Sequence, residues 1–419
     1  MTTDTATAIQ GAVHTFLTAK REEQVRFLAE LIKVPSDNPP GDCAPHAARA
    51  AELLEGLGYT VERHRVPDEL VKANGMISAT NLIVRRSFGT GGPTIALNAH
   101  GDVVAPGEGW TVDPYAATVK DGWMYGRGVA VSKSDFASYT YALMALDELA
   151  RQGVALNGTV ELHLTYDEEA GGEIGPRWLL DQGLTKPDYA VSAGFSYGIV
   201  TAHNGCLHLE VEVRGKSAHA ALPATGIDAL EAATVILSWL YQHRAGYAAT
   251  VSAVPGIGSP QLTVGLISGG INTNVVPDRI TFRLDRRMIP EEQGATVEAT
   301  LRQVIAAAAA ERPEAMVTVR RILLAEPLKP IAGTDRLTDA LSRHATRILG
   351  EPVAAKGVPI YTDARHYAAA GVPTVLYGAG PHTIEEANAH RADERLPLSD
   401  LYKATEVVAL TLVDFLTGA

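Results

Sequence analysis

Apolar positions recur at helical spacing near the start of the chain. Val13, Phe16 and Leu17, then Val25, Leu28 and Leu31, predict a helix from about Ala6 to Ile32. The run Val34-Pro35-Ser36-Asp37-Asn38-Pro39-Pro40-Gly41 ends it, because proline has no amide hydrogen to continue the ladder. A second helix is predicted from Ala47 to Leu57. Short apolar runs at Asn81 to Val84 and Thr94 to Ala99, bounded by Gly and Pro, predict buried strands. A helix from about Ala137 to Arg151 then leads into a strand from Thr159 to Thr165. Strands alternating with helices imply a mostly parallel sheet covered on both faces.

From Gly205 to Arg321 the rhythm changes. A strand (Cys206 to Arg214), a helix (Ile227 to Tyr241), two strands (Gln261 to Ile267, Arg279 to Asp285), a helix (Glu291 to Ala310) and a strand (Ala315 to Ile322) follow in turn. That βαββαβ order is the split, ferredoxin-like arrangement. The α/β pattern resumes with the helix Asp335 to Ile348, the strand Pro373 to Tyr377 and a closing helix from Leu398 to Leu416. The expected architecture is α/β, a mixed, mostly parallel sheet flanked by helices and built from residues 1–204 and 323–419, with a ferredoxin-like α+β domain inserted at 205–322.

Composition narrows the partners. With 419 residues, 46% hydrophobic and 20% charged, the chain is long and apolar enough for about two or three folded domains. A formal charge of −12 repels polyphosphate and anionic lipid, so a small-molecule substrate is expected rather than nucleic acid or a membrane. Cys43 and Cys206 stand far apart with no CxxC spacing, which suggests reduced cytoplasmic thiols and neither a disulfide framework nor a cysteine zinc site. No basic segment followed by an apolar one opens the chain, and no run reaches the ~18 apolar residues of a membrane span. A soluble cytoplasmic protein is expected.

Parallel sheets place ligands beyond the carboxyl ends of their strands, and three such points carry imidazole or carboxylate. His100-Gly101-Asp102 offers an imidazole ligand with a supporting carboxylate, or else a strand-end loop with a capping Asp. Asp167-Glu168-Glu169, flanked by Gly171 and Gly172, offers adjacent acids that can divide the roles of metal ligand and general base, or else a solvated acidic loop. The third is His390 in Asn388 to Glu394, with His382 as a rival.

Taken in order, these stretches resemble the aminoacylase, acetylornithine deacetylase and carboxypeptidase G group of metal-dependent hydrolases, metallopeptidase family 20. Further matching stretches are Trp110 to Tyr115, Asp121 to Gly128, Gly215-Lys216-Ser217-Ala218-His219, Asn274 to Pro277, Asp285-Arg286-Arg287, and Asp393-Glu394. The resemblance implies a zinc-peptidase-like catalytic domain interrupted by a lid and dimerisation domain, and hence a homodimer or higher homo-oligomer. It implies that His100, Glu169 and His390 are metal ligands, Glu168 the general base and Asp102 their support. His219 would stabilise developing negative charge in a neighbouring subunit's site. Asn274 and Arg287 would contact a substrate carboxylate, to which a guanidinium is suited; Arg287 could instead pair with Asp285.

The chain also departs from the family. Where the family carries an aspartate bridging two metals, this sequence has Val131, and Asp135 replaces it only if the alignment slips. The family's acidic ligand near Ala193-Gly194-Phe195-Ser196 is missing too, since no Asp or Glu occurs from Tyr189 through Leu209. His100, Glu169 and His390 suffice for one labile divalent ion, Mn²⁺, Zn²⁺ or Fe²⁺. The expected activity is hydrolysis of a C–N bond in a small carboxylate-bearing substrate. A second ion helps to hold a tetrahedral oxyanion, so its loss favours a substrate that disperses the charge itself. The resemblance extends to such a reaction in the broad family, hydrolytic deamination of 5-nitroanthranilate to 5-nitrosalicylate and ammonia. The alternatives are an N-acyl-amino-acid amidohydrolase or small-peptide hydrolase, and a non-catalytic binding descendant.

Overall fold

A computed structural model describes residues 3–418 and divides into two compact units. The first comprises the chain up to Thr201, Pro330–Lys356, and the chain from Thr362 onward; the second comprises Ala202–Lys329 with Gly357–Tyr361.

In chain order the strands are β1 (Val61–Arg65), β2 (Thr80–Phe88), β3 (Thr94–His100), β4 (Thr118–Lys120), β5 (Trp123–Tyr125), β6 (Gly158–Thr165), β7 (Tyr189–Ser192) and β8 (Ile199–His203). They continue with β9 (Gly205–Arg214), β10 (Gln261–Gly269), β11 (Arg279–Met288), β12 (Met316–Ala325), β13 (Ala355–Val358), β14 (Thr374–Leu376) and β15 (Arg395–Pro397). The eight-stranded sheet runs β1-β2-β6-β3-β7-β14-β8-β13. Its central run β6-β3-β7-β14 is parallel, while β1 and β2 join antiparallel on one side and β8 pairs antiparallel with β14 on the other.

The helix Lys133–Arg151 is buried on nearly every face, packing against β3, the first helix Thr3–Ile32 and the closing helix Leu398–Thr417. A helix enclosed this way needs apolar residues all round. Each fully buried residue such as Phe136, Leu143 or Leu146 contributes about 1.5–3 kcal/mol relative to exposure. This helix begins earlier than apolar spacing predicts because its first turn, Lys133-Ser134-Asp135, is polar and nevertheless fully buried.

The second unit carries an antiparallel sheet in the order β10-β11-β9-β12. Helices Ala229–Ala245 and Gly294–Ala309 pack on it, giving the ferredoxin-like order. Along β9, Leu207, Leu209, Val211 and Val213 all face this core, as the period of two requires. Among the described residues no helix is long and apolar enough to cross a membrane.

Candidate metal centre

The carboxyl ends of β3 and β6 lie side by side, with His100 paired to Thr165 and the Gly101 N–H donating to the Thr165 carbonyl at 2.8 Å. Position 101 must be glycine, since a Cβ there would sit 2.3 Å from the Tyr166 ring. The His100 backbone N–H donates to Ser132 Oγ at 2.9 Å, and its ring Nδ1 bonds the Asp102 carbonyl at 2.9 Å. That contact orients Nε2 toward Glu168, whose Oε2 lies 4.0 Å away.

The fully buried Asp102 carboxylate supports the neighbouring acids. Its Oδ1 accepts from the Glu168 N–H and its Oδ2 from the Glu169 N–H, each at 3.2 Å, and Asn38 Nδ2 donates to Oδ2 at 3.0 Å. Asp102 thereby clamps the one-turn 3₁₀ helix Glu168–Ala170 that presents both acids.

Ligand atoms of His100, Glu168 and Glu169 all lie within 4.8 Å of one another. His390 joins from the loop before β15, its Nε2 3.5 Å from Glu169 Oε1. Imidazole nitrogen and carboxylate oxygen converging in this way fit one borderline divalent ion such as Zn²⁺. The electrostatics agree. Burial opposes protonation of His100, yet the Asp102 and Glu168 carboxylates outweigh it and raise the imidazole well above its ordinary value. The contact with Glu169 likewise raises His390. Burial pushes Glu168 up to about 8, with His100 opposing the shift. Crowding of acids and imidazoles makes these groups hold protons, and a bound cation would displace them, since ligating imidazole and carboxylate are deprotonated.

Val131 is half-buried and offers no donor. Asp135, deeply buried at the start of its helix, accepts the Ala379 N–H at 2.8 Å and a backbone bond from Gly194, beyond the ends of β14 and β7. Its Oδ2 has no hydrogen-bond partner among the described residues, and burial pushes the carboxyl up to about 8. Gly378 permits this approach, because a Cβ there would overlap Asp135 Oδ1.

Sequence reading missed several residues beside the centre. Asp363, at the start of the short helix Ala364–Ala369, is buried 3.5 Å from Thr165 Oγ1. Burial, with Glu168 next in importance, raises it well above the carboxylate range. Asp167 is raised by burial and by Asp363. Arg365 counters this acidity and donates to the Gly171 carbonyl. No local pattern marked Asp363 or Arg365, because the acid heads a helix, Ala364-Arg365-His366-Tyr367-Ala368-Ala369, that is itself half polar.

The remaining predicted residues belong to the second unit. His219 and Asn274 are exposed on adjoining segments: His219 bridges to Val275, and the Ala220 N–H donates to the Asn274 carbonyl at 3.0 Å. Arg287 is half-buried, its Nε donating to Asp285 Oδ1 at 2.9 Å and its guanidinium over the Tyr361 ring. The pair with Asp285 is thus present.

Fold and donor set together define a metal-dependent hydrolase of C–N bonds. The profile of Peptidase family M20/M25/M40 matches residues 96–414, and the chain belongs to that family. It is 28% identical to an acetylornithine deacetylase of Myxococcus xanthus over 88% of this chain and 91% of that one. To a succinyl-diaminopimelate desuccinylase of Gluconacetobacter diazotrophicus it is 29% identical, over 94% and 98%. Among solved structures, the Saccharomyces cerevisiae dipeptidase Dug1p superposes with a TM-score of 0.78 at 13% identity, covering 97% of this chain and 98% of that one. Aminopeptidase PepT of Bacillus cereus gives 0.72 at 24%, covering 95% and 99%. These likenesses show the same fold.

Proposed function

We propose that the protein hydrolyses the amide of a small N-acylated amino acid or short peptide, with one labile Mn²⁺, Zn²⁺ or Fe²⁺ held by His100, Glu169 and His390. The observation that carries this reading is the pair Glu168 and Glu169, fixed side by side by Asp102 with Glu168 sheltered beside His100. The relatives named for removing acetyl from ornithine and succinyl from diaminopimelate support the substrate class.

A bound divalent ion supplies Lewis acidity toward water and the scissile carbonyl. Glu168 takes a proton from the attacking water as the carbon–oxygen bond forms. It then returns that proton to the nitrogen as the carbon–nitrogen bond breaks, so a carboxylate and an amine leave. Asp102 holds the backbone of both acids while charge moves. Arg287 and Asn274 are assigned to the substrate carboxylate, and His219 to the developing oxyanion. A cytoplasmic homodimer or larger homo-oligomer is the matching assembly, supported by edge strand β10, where Leu266 and Ile267 are exposed.

A second reading rests on Val131 and on the lack of acidic residues from Tyr189 through Leu209. With one ion, hydrolytic deamination of 5-nitroanthranilate to 5-nitrosalicylate and ammonia suits the centre, because the nitro group takes up the charge of the addition step. One assay separates the two readings. Purified protein with Mn²⁺ or Zn²⁺, and a chelated control, is given N-acetyl and N-succinyl amino acids, dipeptides and 5-nitroanthranilate. Metal-dependent release of primary amine from the acylated substrates is expected. Ammonium from 5-nitroanthranilate alone would favour the second reading, and turnover of neither class would overturn both.

A further inference from the structure

Cys206 and His208 are two residues apart on β9, so their side chains share one face of the strand. In the antiparallel register between β9 and β11, His208 lies opposite Asp285 and Cys206 opposite Arg287. The result is a cluster in which Cys206 Sγ is 3.2 Å from His208 Nε2, His208 Nε2 is 2.9 Å from Asp285 Oδ2, and Sγ is 3.7 Å from Oδ2. The face opposite holds the apolar core of the second unit, so nothing in the packing of that core explains the cluster.

Both partners of the imidazole converge on the same nitrogen. A nucleophile-and-base relay uses the two ring nitrogens, one toward the nucleophile and the other toward the orienting acid. A single Nε2 carries one lone pair or one hydrogen and cannot serve sulfur and carboxylate in two linear bonds. A cation between the three atoms satisfies them together. Zinc–ligand lengths of about 2.3 Å to sulfur and about 2.0–2.1 Å to nitrogen and oxygen, at tetrahedral angles, set donors ~3.3–3.6 Å apart. The observed separations are 2.9, 3.2 and 3.7 Å, two of them a few tenths of an ångström shorter than this, so a small opening of the half-exposed His208 and Asp285 side chains admits the ion. Arg287 Nε donates to Asp285, closer to Oδ1 than to Oδ2, orienting the carboxylate as outer partners of ligands do. The side chains of His208 and Asp285 are 34% and 30% exposed, which gives an ion a route in.

We propose that Cys206, His208 and Asp285 form a binding site for a borderline-soft divalent cation such as Zn²⁺ or Co²⁺, with one coordination position open. Sulfur, nitrogen and oxygen donors together select these ions over Mg²⁺, Ca²⁺ and Mn²⁺. On binding, the Cys206 thiol gives its proton to solvent, so thiolate and carboxylate face the ion with two negative charges against the one positive charge of Arg287.

The sulfur makes the test specific, because His100, Glu168, Glu169 and His390 include none. The metal-stripped full chain is titrated with Co²⁺ and followed by absorption. A near-ultraviolet thiolate-to-cobalt charge-transfer band that reaches its limit by two equivalents, the second ion filling the His100, Glu169 and His390 centre, is expected. Cys206→Ser should abolish the band, and His208→Gln and Asp285→Asn should each weaken the site at least tenfold, with circular dichroism confirming that each variant is folded. No such band at saturating Co²⁺ in the wild-type protein would overturn the proposal. So would a band that survives in Cys206→Ser, which would point to Cys43.

Discussion

The guanidinium of Arg127 and the carboxylate of Glu394 meet at 2.6 Å, with both side chains almost wholly shielded from solvent. Arg127 Nη2 also donates to the carbonyls of Pro106 and Arg391, and Glu394 Oε1 accepts the Ala130 N–H at 3.1 Å. This pair fastens the loop bearing His390 to the segment that follows β5. Removing one partner leaves a buried charge uncompensated, so Glu394→Gln should cost about 3–5 kcal/mol. Chemical denaturation of Glu394→Gln, Arg127→Met and the double variant checks this: the double variant should lose clearly less than the sum of the singles.

Glu168 and Glu169 are adjacent in sequence but carry different assignments. Glu168→Gln should lower kcat by about 10²–10⁴-fold while leaving ion affinity nearly unchanged. Glu169→Gln should instead release the ion. Parallel measurements of kcat and bound metal test the division, and loss of the ion in Glu168→Gln would reverse it.

Val131 is half-buried, at the position where the resemblance leads us to expect a carboxylate. Val131→Asp adds a negative charge next to Ser132, whose Oγ accepts the His100 N–H, and even at an effective dielectric of about 20 a charge pair at 4 Å is worth about 4 kcal/mol before desolvation. The ion should bind at least about tenfold more tightly, a gain of ~1.4 kcal/mol. Competition against a chromophoric chelator reads the change, and unchanged affinity would show that position 131 does not face the ion.

Lys133 is fully buried, with Nζ 3.4 Å from the Val34 carbonyl and 3.5 Å from that of Leu31. Burial lowers its ammonium from 10.5 to about 8. Between those values the unfolded chain holds a proton that the folded chain has released, so this group's contribution to stability rises with pH across that window. The group is least favourable to folding below about pH 8. Lys133→Met should therefore lose ground to the wild type as pH rises from about 8 to 10.5. Calorimetric Tm of both proteins across that range checks the sign.

Much of the fold was legible along the chain because amphipathic period is local. The spacing of Val25, Leu28 and Leu31 marks a helix whatever it packs against, and the βαββαβ order of the second unit follows from alternation within each strand. Ordered motifs likewise exposed His100, Asp102, Glu168, Glu169 and His390. Lys133-Ser134-Asp135 escaped, since a polar first turn reads as solvated until the surrounding elements bury it. Asp363 escaped because nothing near it in sequence shows that β6 and the 168–170 turn will lie beside it.

The sequence by itself determined the elements, the class of sheet and the family, all properties of residue type and short-range spacing, and the resemblance led us to expect acidic ligands missing at Val131 and near Gly194. Tertiary structure decided which distant groups became neighbours. Asp102 grips the backbone of Glu168 and Glu169, Glu394 pairs with Arg127, and Asp285 reaches Cys206 and His208 through strand register. Register and burial come from packing the whole chain at once, so a carboxylate acquires its partner and its protonation only when folding removes water from around it.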